Sequence, residues 1–400
     1  MKTVAPSFAQ VAGSRDSTPA LFLAFACGLI AANLYYAQPL AGPLAASLGL
    51  PPGAAGLLVA MTQAGYGTGL LLAAPLGDVV ENRRLVLALL AASFCGLCGL
   101  ASASGPALFL ACAFLTGVGS VAVQVLIPYS AHLAPEPQRG RVVGTVMAGM
   151  TLGIMLARPV SSALAGLGWD RAAFALSALA MAALALVLRR ALPARQPAAA
   201  GRYSDLLVSM LRLVGREPVL RERALQHLFM FGSFSLFWTT VPLQLAQGYG
   251  LSRSGIAWFA LAGVAGVVSA PVAGRLADQG KSGPATALAM ASALVALLVA
   301  HLAPGGTTLG LGLLVFAAIL LDFGIVANLS LGKQAIFALD PALRSRLNAV
   351  YTALFFTGGA AGSFIGSWAQ ANGGWTLASR IGMALPACAL ALLAWGNRPR

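Results

Sequence analysis

The sequence predicts an all-α membrane protein of twelve transmembrane helices arranged as two pseudo-symmetric six-helix bundles, and three observations carry that expectation. Charged residues make up 9% of the 400 and hydrophobic ones 58%, against about 25% and 45–50% in soluble proteins. Twelve apolar stretches approach the roughly 20 residues needed to cross a bilayer. The chain also repeats itself at half its length. Leu34-Tyr35-Tyr36-Ala37-Gln38-Pro39-Leu40 returns 203 positions later as Phe237-Trp238-Thr239-Thr240-Val241-Pro242-Leu243. Leu76-Gly77-Asp78 returns as Leu276-Ala277-Asp278, and Arg139-Gly140-Arg141 followed by Trp169 returns as Arg344-Ser345-Arg346 followed by Trp375. Three matches in one order describe a duplicated unit, and duplicated bundles in membranes work by alternating access around a central site.

In chain order the expected spans cover residues 20–40, 55–76, 85–103, 106–130, 142–166 and 172–188, then 224–246, 255–274, 284–302, 308–336, 347–370 and 379–395. The first is read as a helix rather than a cleaved signal, because it is long and carries Asn33, Tyr35, Tyr36 and Gln38 with no clear small-residue cleavage site. The expected division is 1–188 for one bundle, 189–223 for a linker and 224–400 for the other. Inside the linker Leu206, Leu207, Met210, Leu211 and Val214 recur at helical spacing, which fits either a helix lying on the membrane surface or a mobile basic tether. Gly149, Gly153 and Ala157 in the fifth span, and Gly358, Gly362 and Gly366 in the eleventh, recur every fourth residue. Such smooth stripes serve close helix packing or the sliding of one half on the other.

The net charge of +14 does not call for nucleic acid. With both termini inside, 20 of the 25 Lys and Arg fall on the cytoplasmic side, three outside and two within spans, as the positive-inside rule requires of an even number of helices. All five cysteines lie in apolar spans, and Cys95-x-x-Cys98 has no further ligands near it, so no metal is expected. His132, His227 and His301 are too scattered for a metal site or a triad and read as surface residues near helix ends.

Around Asp78 the chain resembles the major facilitator superfamily, and the resemblance extends over its whole length. The superfamily's loop between its second and third helices has the pattern G-x-L-A-D-R-x-G-R-R; here Ala74-Pro75-Leu76-Gly77-Asp78-Val79-Val80-Glu81-Asn82-Arg83 matches at Leu76, Asp78 and Arg83, and Gly274-Arg275-Leu276-Ala277-Asp278 follows it more closely. The resemblance implies gating roles for Asp78, Arg83, Gly274 and Asp278, the Asp tying its loop to a neighbouring helix end. Proton-driven drug exporters of the superfamily carry G-x-x-x-G-P-x-x-G-G in the fifth helix. Here Arg158 stands where the glycine before Pro159 belongs, and Ala113 takes the place of the exporters' fourth-helix arginine ahead of Gly117-Val118-Gly119. The superfamily's architecture turns helices 1, 4, 7 and 10, with parts of 2, 5, 8 and 11, toward a central cavity.

A charge near the bilayer centre costs about 2.5–3.5 kcal/mol on insertion scales. Asp322, the one acidic residue well inside a span, is therefore the candidate proton carrier, with Arg158 favouring its ionised form in one state; the alternative is a static Arg158–Asp322 pair that pins the halves together. Lys333 snorkels toward the surface in this reading. Candidate cavity groups are Asn33, Tyr35, Tyr36, Gln38, Gln63, Tyr66, Gln124, Trp238, Thr239 and Gln244, set against interfacial belts and interhelical amide bonds. The expectation is a proton-coupled exporter of small organic molecules in a bacterial-type inner membrane, both termini cytoplasmic, without cofactor and working as a monomer. The alternatives are a facilitator or importer of a small metabolite without proton antiport, and a non-transporting sensor or scaffold. No cluster of nucleophile, base or metal ligands points to an enzyme.

Overall fold

The structure is a computed structural model that describes residues 18–196, 202–340 and 343–396; Lys2, Arg15, Arg398 and Arg400 of the charge count lie outside them. The described residues contain no strand. In hydrocarbon every backbone N–H and C=O has to be satisfied within its own segment, and helices are what apolar runs of this length form. In order they are α1 (Thr18–Ala32), α2 (Leu57–Leu72), α3 (Asn82–Ser102), α4 (Pro106–Leu133), α5 (Arg139–Gly166) and α6 (Ala172–Ala191), then a linker helix (Tyr203–Arg216), α7 (Pro218–Tyr249), α8 (Arg253–Asp278), α9 (Ser282–Leu302) and α10 (Thr308–Phe337). Their ends follow local chemistry. Pro106 and Pro218 open α4 and α7 at positions where an N–H is not needed. Ser252 and Thr307 cap α8 and α10 by accepting from the backbone N–H of Gly255 and Gly310. Gly250 closes α7 at φ 64°.

By length and composition ten helices among the described residues can cross a membrane, and the expected count of twelve differs for two physical reasons. The first expected span is not one helix: it stops at Ala32, turns through residues 33–37, and resumes as a 3-10 turn, Gln38–Leu40, and a short helix, Ala41–Ser47. The other reason is at the far end. Arg344–Gly396 runs 53 residues, about 80 Å at 1.5 Å per residue and well beyond a hydrocarbon core of about 30 Å. Non-helical Gly373 and Gly374, the latter at φ 60°, break it into α11 (344–372) and α12 (375–396).

The two halves pack by one plan. α5 lies along α1, and α11 along α7; α4 lies against α2, and α10 against the middle of α8. A Cβ on Gly153 would sit 2.2 Å from the Gly28 carbonyl oxygen, and one on Gly362 would sit 2.1 Å from that of Gly232. The glycine stripes therefore seat α1 on α5 and α7 on α11, inside each half, rather than providing a surface on which halves slide. Contact between halves runs through α2 with α11 and α5 with α8. The linker helix buries Leu206, Met210 and Leu213, and Tyr203 donates to the Leu72 carbonyl at 2.6 Å, so it is a docked helix.

Candidate translocation site at the centre of the bundle

α5 places Arg158 and α10 places Asp322 face to face where the halves meet, both nearly fully buried, with Arg158 Nη1 4.0 Å from Asp322 Oδ2. The remaining parts come from three more elements. Trp238 of α7 donates its indole N–H to Asp322 Oδ1 at 2.8 Å. Gln38, in the interruption after α1, accepts from Arg158 Nε through Oε1 at 2.9 Å. Tyr35, Phe234 and Trp238 lay their rings against the guanidinium, with centroids 5.3, 4.8 and 4.3 Å from its carbon. Aromatic faces attract a cation through their quadrupole, and they cover the flat sides of the guanidinium while leaving its edge for in-plane acceptors.

Two features of the backbone create this space. The break after Ala32 frees residues 33–40 from a straight helix and delivers Tyr35 and Gln38 together. The middle of α8 is a 3-10 stretch, Leu261–Val268, in which residues three apart eclipse one another. Gly263 and Gly266 fall in register there, and a Cβ on either would lie 2.6 Å from Asp322 Oδ2 or 2.8 Å from Asp322 Cβ. The carboxylate rests in a groove of glycines.

The site is under-satisfied. Arg158 Nη2, Gln38 Nε2 and Asp322 Oδ2 are buried without a hydrogen-bond partner, and each such atom normally costs about 1–3 kcal/mol. The Arg–Asp approach is a loose ion pair rather than a bidentate one, and it spans the two halves, so relative movement of the halves makes or breaks it.

Of the other sequence candidates, none joins this cluster directly. Asn33 accepts from Ser177 of α6 at 2.5 Å and donates to Met181 sulfur at 3.6 Å. Tyr36 is buried, with its carbonyl accepting from Ser161 at 2.7 Å. Gln63 donates to Ser235 of α7 at 3.1 Å and reaches the inner wall of a cavity of about 530 Å³ between α2, α11 and the linker helix, lined otherwise mostly by aliphatic residues such as Leu71, Met210 and Leu354. Gln124 donates to Tyr66 at 2.9 Å and accepts from Asn348 at 3.3 Å, tying α2, α4 and α11. Thr239 donates to Ser363 at 3.1 Å.

The gating candidates separate. Asp78 lines a cavity of about 160 Å³ with His132, Arg195 and Asn348. Arg83 pairs with Glu81 at 3.4 Å and reaches the Leu192 carbonyl at 3.4 Å. Gly274 lies near Gln334, and Asp278 is exposed at the end of α8. His227 is not a surface residue. It is fully buried, pairs with Asn328 at 2.8 Å and stacks on Tyr351. Phe234, Gly263 and Gly266 were not singled out from sequence; the spacing of Phe234 one turn before Trp238 was the available signal.

Residues 21–332 match the profile of the Major Facilitator Superfamily. The chain belongs to that superfamily. It is 37% identical over 365 residues to the "Uncharacterized transporter YgaY" of Escherichia coli, covering 90% of this chain and 92% of the relative. It is 33% identical over 370 residues to the "Probable transporter SCO4007" of Streptomyces coelicolor, covering 91% and 84%. The fold matches the crystal structure of the nucleoside transporter NupG with a TM-score of 0.71 at 11% identity, over 95% of this chain and all of that one. This member of the superfamily is a multi-pass membrane transporter.

Proposed function

We propose that the chain is a proton-coupled secondary transporter of small organic molecules that works by alternating access, with Asp322 as the proton carrier and Arg158 as the charge that alternates with it. One observation carries the reading: a buried Arg158–Asp322 pair at 4.0 Å, one member from each half, with polar atoms of both left unpartnered. A pair needed only as a pin gains most from full hydrogen bonding, because partial pairing does not repay the desolvation of two ions. A pair that must part in each cycle fits the loose geometry. The bundles are assigned to 1–188 and 224–400, joined by 189–223, in a bacterial-type inner membrane with cytoplasmic termini and a monomeric working unit. Asp78, Arg83, Gly274 and Asp278 take the gating roles.

Efflux, the direction implied by the proline-containing motif of α5, requires proton and solute to replace one another. Uptake is the second reading, and one feature favours it: the three rings that would receive a cationic drug already hold Arg158. The test is lumenal pH in proteoliposomes under an imposed proton gradient, with amphipathic drugs and small metabolites added in turn. A compound-evoked pH change in the wild type that Asp322→Asn loses supports the proposal, and its sign gives the direction. Compound movement with no pH change in either protein overturns proton coupling and leaves a facilitator.

A further inference from the structure

Beside the loose Arg158–Asp322 pair, the centre leaves two buried donors without an acceptor. Arg158 Nε is taken by Gln38 Oε1, and that bond fixes the amide so that Gln38 Nε2 is the free atom; Arg158 Nη2 is free as well. Arg158 is 2% exposed and Gln38 0%, so bulk water does not supply the missing acceptor. We infer that the outer edge of the Arg158 guanidinium and the Gln38 side-chain amide form the docking point for an anionic group, a carboxylate, of the transported solute.

The chemistry of the cluster selects an anion. The guanidinium presents a planar fork that matches a carboxylate with two parallel N–H···O bonds, and rings on its faces hold that fork edge-on. A cationic solute would have to displace Arg158 from Tyr35, Phe234 and Trp238 and leave a charge buried without a partner. A neutral solute would leave at least one formal charge of the pair unbalanced whenever the pair opens. A solute carboxylate gives the guanidinium the same countercharge as Asp322 and, at the Nη2 edge, the in-plane contact that the loose 4.0 Å pair lacks.

The inference rests on Asp322 as the proton carrier and on the uptake reading. The titratable groups facing Asp322 are Arg158 from α5 and Tyr35 from the chain after α1, while α7 presents Trp238 and α8 presents Gly263 and Gly266. Ionised Asp322 competes with the solute's carboxylate for Arg158, and a proton on Asp322 removes the competitor. Proton and anion then each strengthen binding of the other by the same factor, and they cross together in one step with no net charge moved.

The experiment is equilibrium binding of radiolabelled benzoate to the purified full-length chain, over a pH range in which benzoate stays ionised, with benzamide and benzylamine as neutral and cationic competitors of the same shape. Benzoate is expected to bind saturably, more tightly as pH falls, by a factor of about ten or more, and the amide and amine displace it poorly. Gln38→Leu and Arg158→Lys each weaken it about tenfold, the loss of one charge-assisted hydrogen bond. Asp322→Asn holds the tight affinity at every pH, which a merely structural Asp322 would not do. Absence of saturable benzoate binding, or displacement by benzamide or benzylamine as effective as by benzoate itself, overturns the anion site, and these arms need no variant to fold. The two proposals fail separately. Asp322-dependent proton movement without benzoate binding sinks the dock alone, whereas Arg158-dependent benzoate binding that keeps its pH dependence in Asp322→Asn sinks the proton carrier alone.

Discussion

The two copies of the repeat can be compared position by position. Gly153 and Gly362, 209 positions apart and each one helical turn from the other's counterpart, seat α1 on α5 and α7 on α11 with nearly the same clearance, 2.2 and 2.1 Å for an added Cβ. At the polar centre the copies differ. Arg158 in α5 stands where α11 has Ser363, and Asp322 in α10 stands where α4 has Gly117, both 205 positions apart. Gly117 lets α4 press on α2, with an added Cβ 2.1 Å from the Thr62 carbonyl oxygen. In the first copy α2 also brings Gly65 and Gly69 to this contact; in the second, Gly263 and Gly266 of α8 face Asp322, and the groove they form admits a carboxylate. Tyr35 and Trp238, equivalent at 203, both line that space. Packing has been kept in duplicate, then, while each charge exists in one copy only. A buried ion pair formed from unlike copies necessarily bridges the halves, and this makes it sensitive to their relative position.

Substitutions that test this comparison range from large to small effects. Gly153→Leu and Gly362→Leu should each cost about 3 kcal/mol or more through overpacking against backbone, with similar losses of thermal stability and yield in detergent; a large difference between them would break the packing equivalence. Arg158→Met leaves Asp322 buried without its countercharge and should destabilise by about 3–5 kcal/mol, most of it restored in the double variant Arg158→Met with Asp322→Leu. Thermal unfolding of the three proteins measures it, and additive losses would mean that the pair is not coupled. Trp238→Phe keeps an aromatic ring, though a smaller one, and removes the N–H on Asp322 Oδ1, for a loss of about 1.5–3 kcal/mol or more, whereas Ser363→Ala, at the position equivalent to Arg158, should cost no more than about 1.5 kcal/mol. The smallest effect is expected away from the centre. Arg253 of α8 pairs with Asp170 between α5 and α6 and donates to the Ala165 carbonyl at 2.8 Å, on the side opposite the linker. Arg253→Gln should change stability by about 1 kcal/mol or less and in a salt-dependent way, while crosslinking between cysteines placed across that end reports a shift in the balance of open and closed forms.

Much of this was readable in advance. Apolar runs gave α3, α6, α9 and α10 within a few residues, because each is a single uninterrupted crossing. The first span misled because periodicity records apolar content but not the break at Ala32; the eleventh and twelfth were expected apart, at 347–370 and 379–395, and the non-helical Gly373 and Gly374 divide them there. Asp322 and Arg158 were legible as charges in hydrocarbon. Asn33, Tyr36, Thr239, Tyr66 and Gln124 were equally polar in sequence, yet the structure satisfies them with neighbouring helices. His227 looked like a helix-end histidine because α7 was expected to begin at 224; the helix starts six residues earlier, at Pro218, and so carries His227 into the interior.

The sequence by itself determined that this chain lives in a membrane, that it is built twice, and which two charges must answer for their place in hydrocarbon, because composition and the cost of burying charge are local properties. Tertiary structure alone decided which aromatic rings surround Arg158, that Gln38 and Trp238 each hold one member of the pair, and that two donors and a carboxylate oxygen remain unpartnered. Those facts depend on the rotation of five separate elements about their axes and on a 3-10 stretch in α8, and the packing of glycine against backbone fixes both.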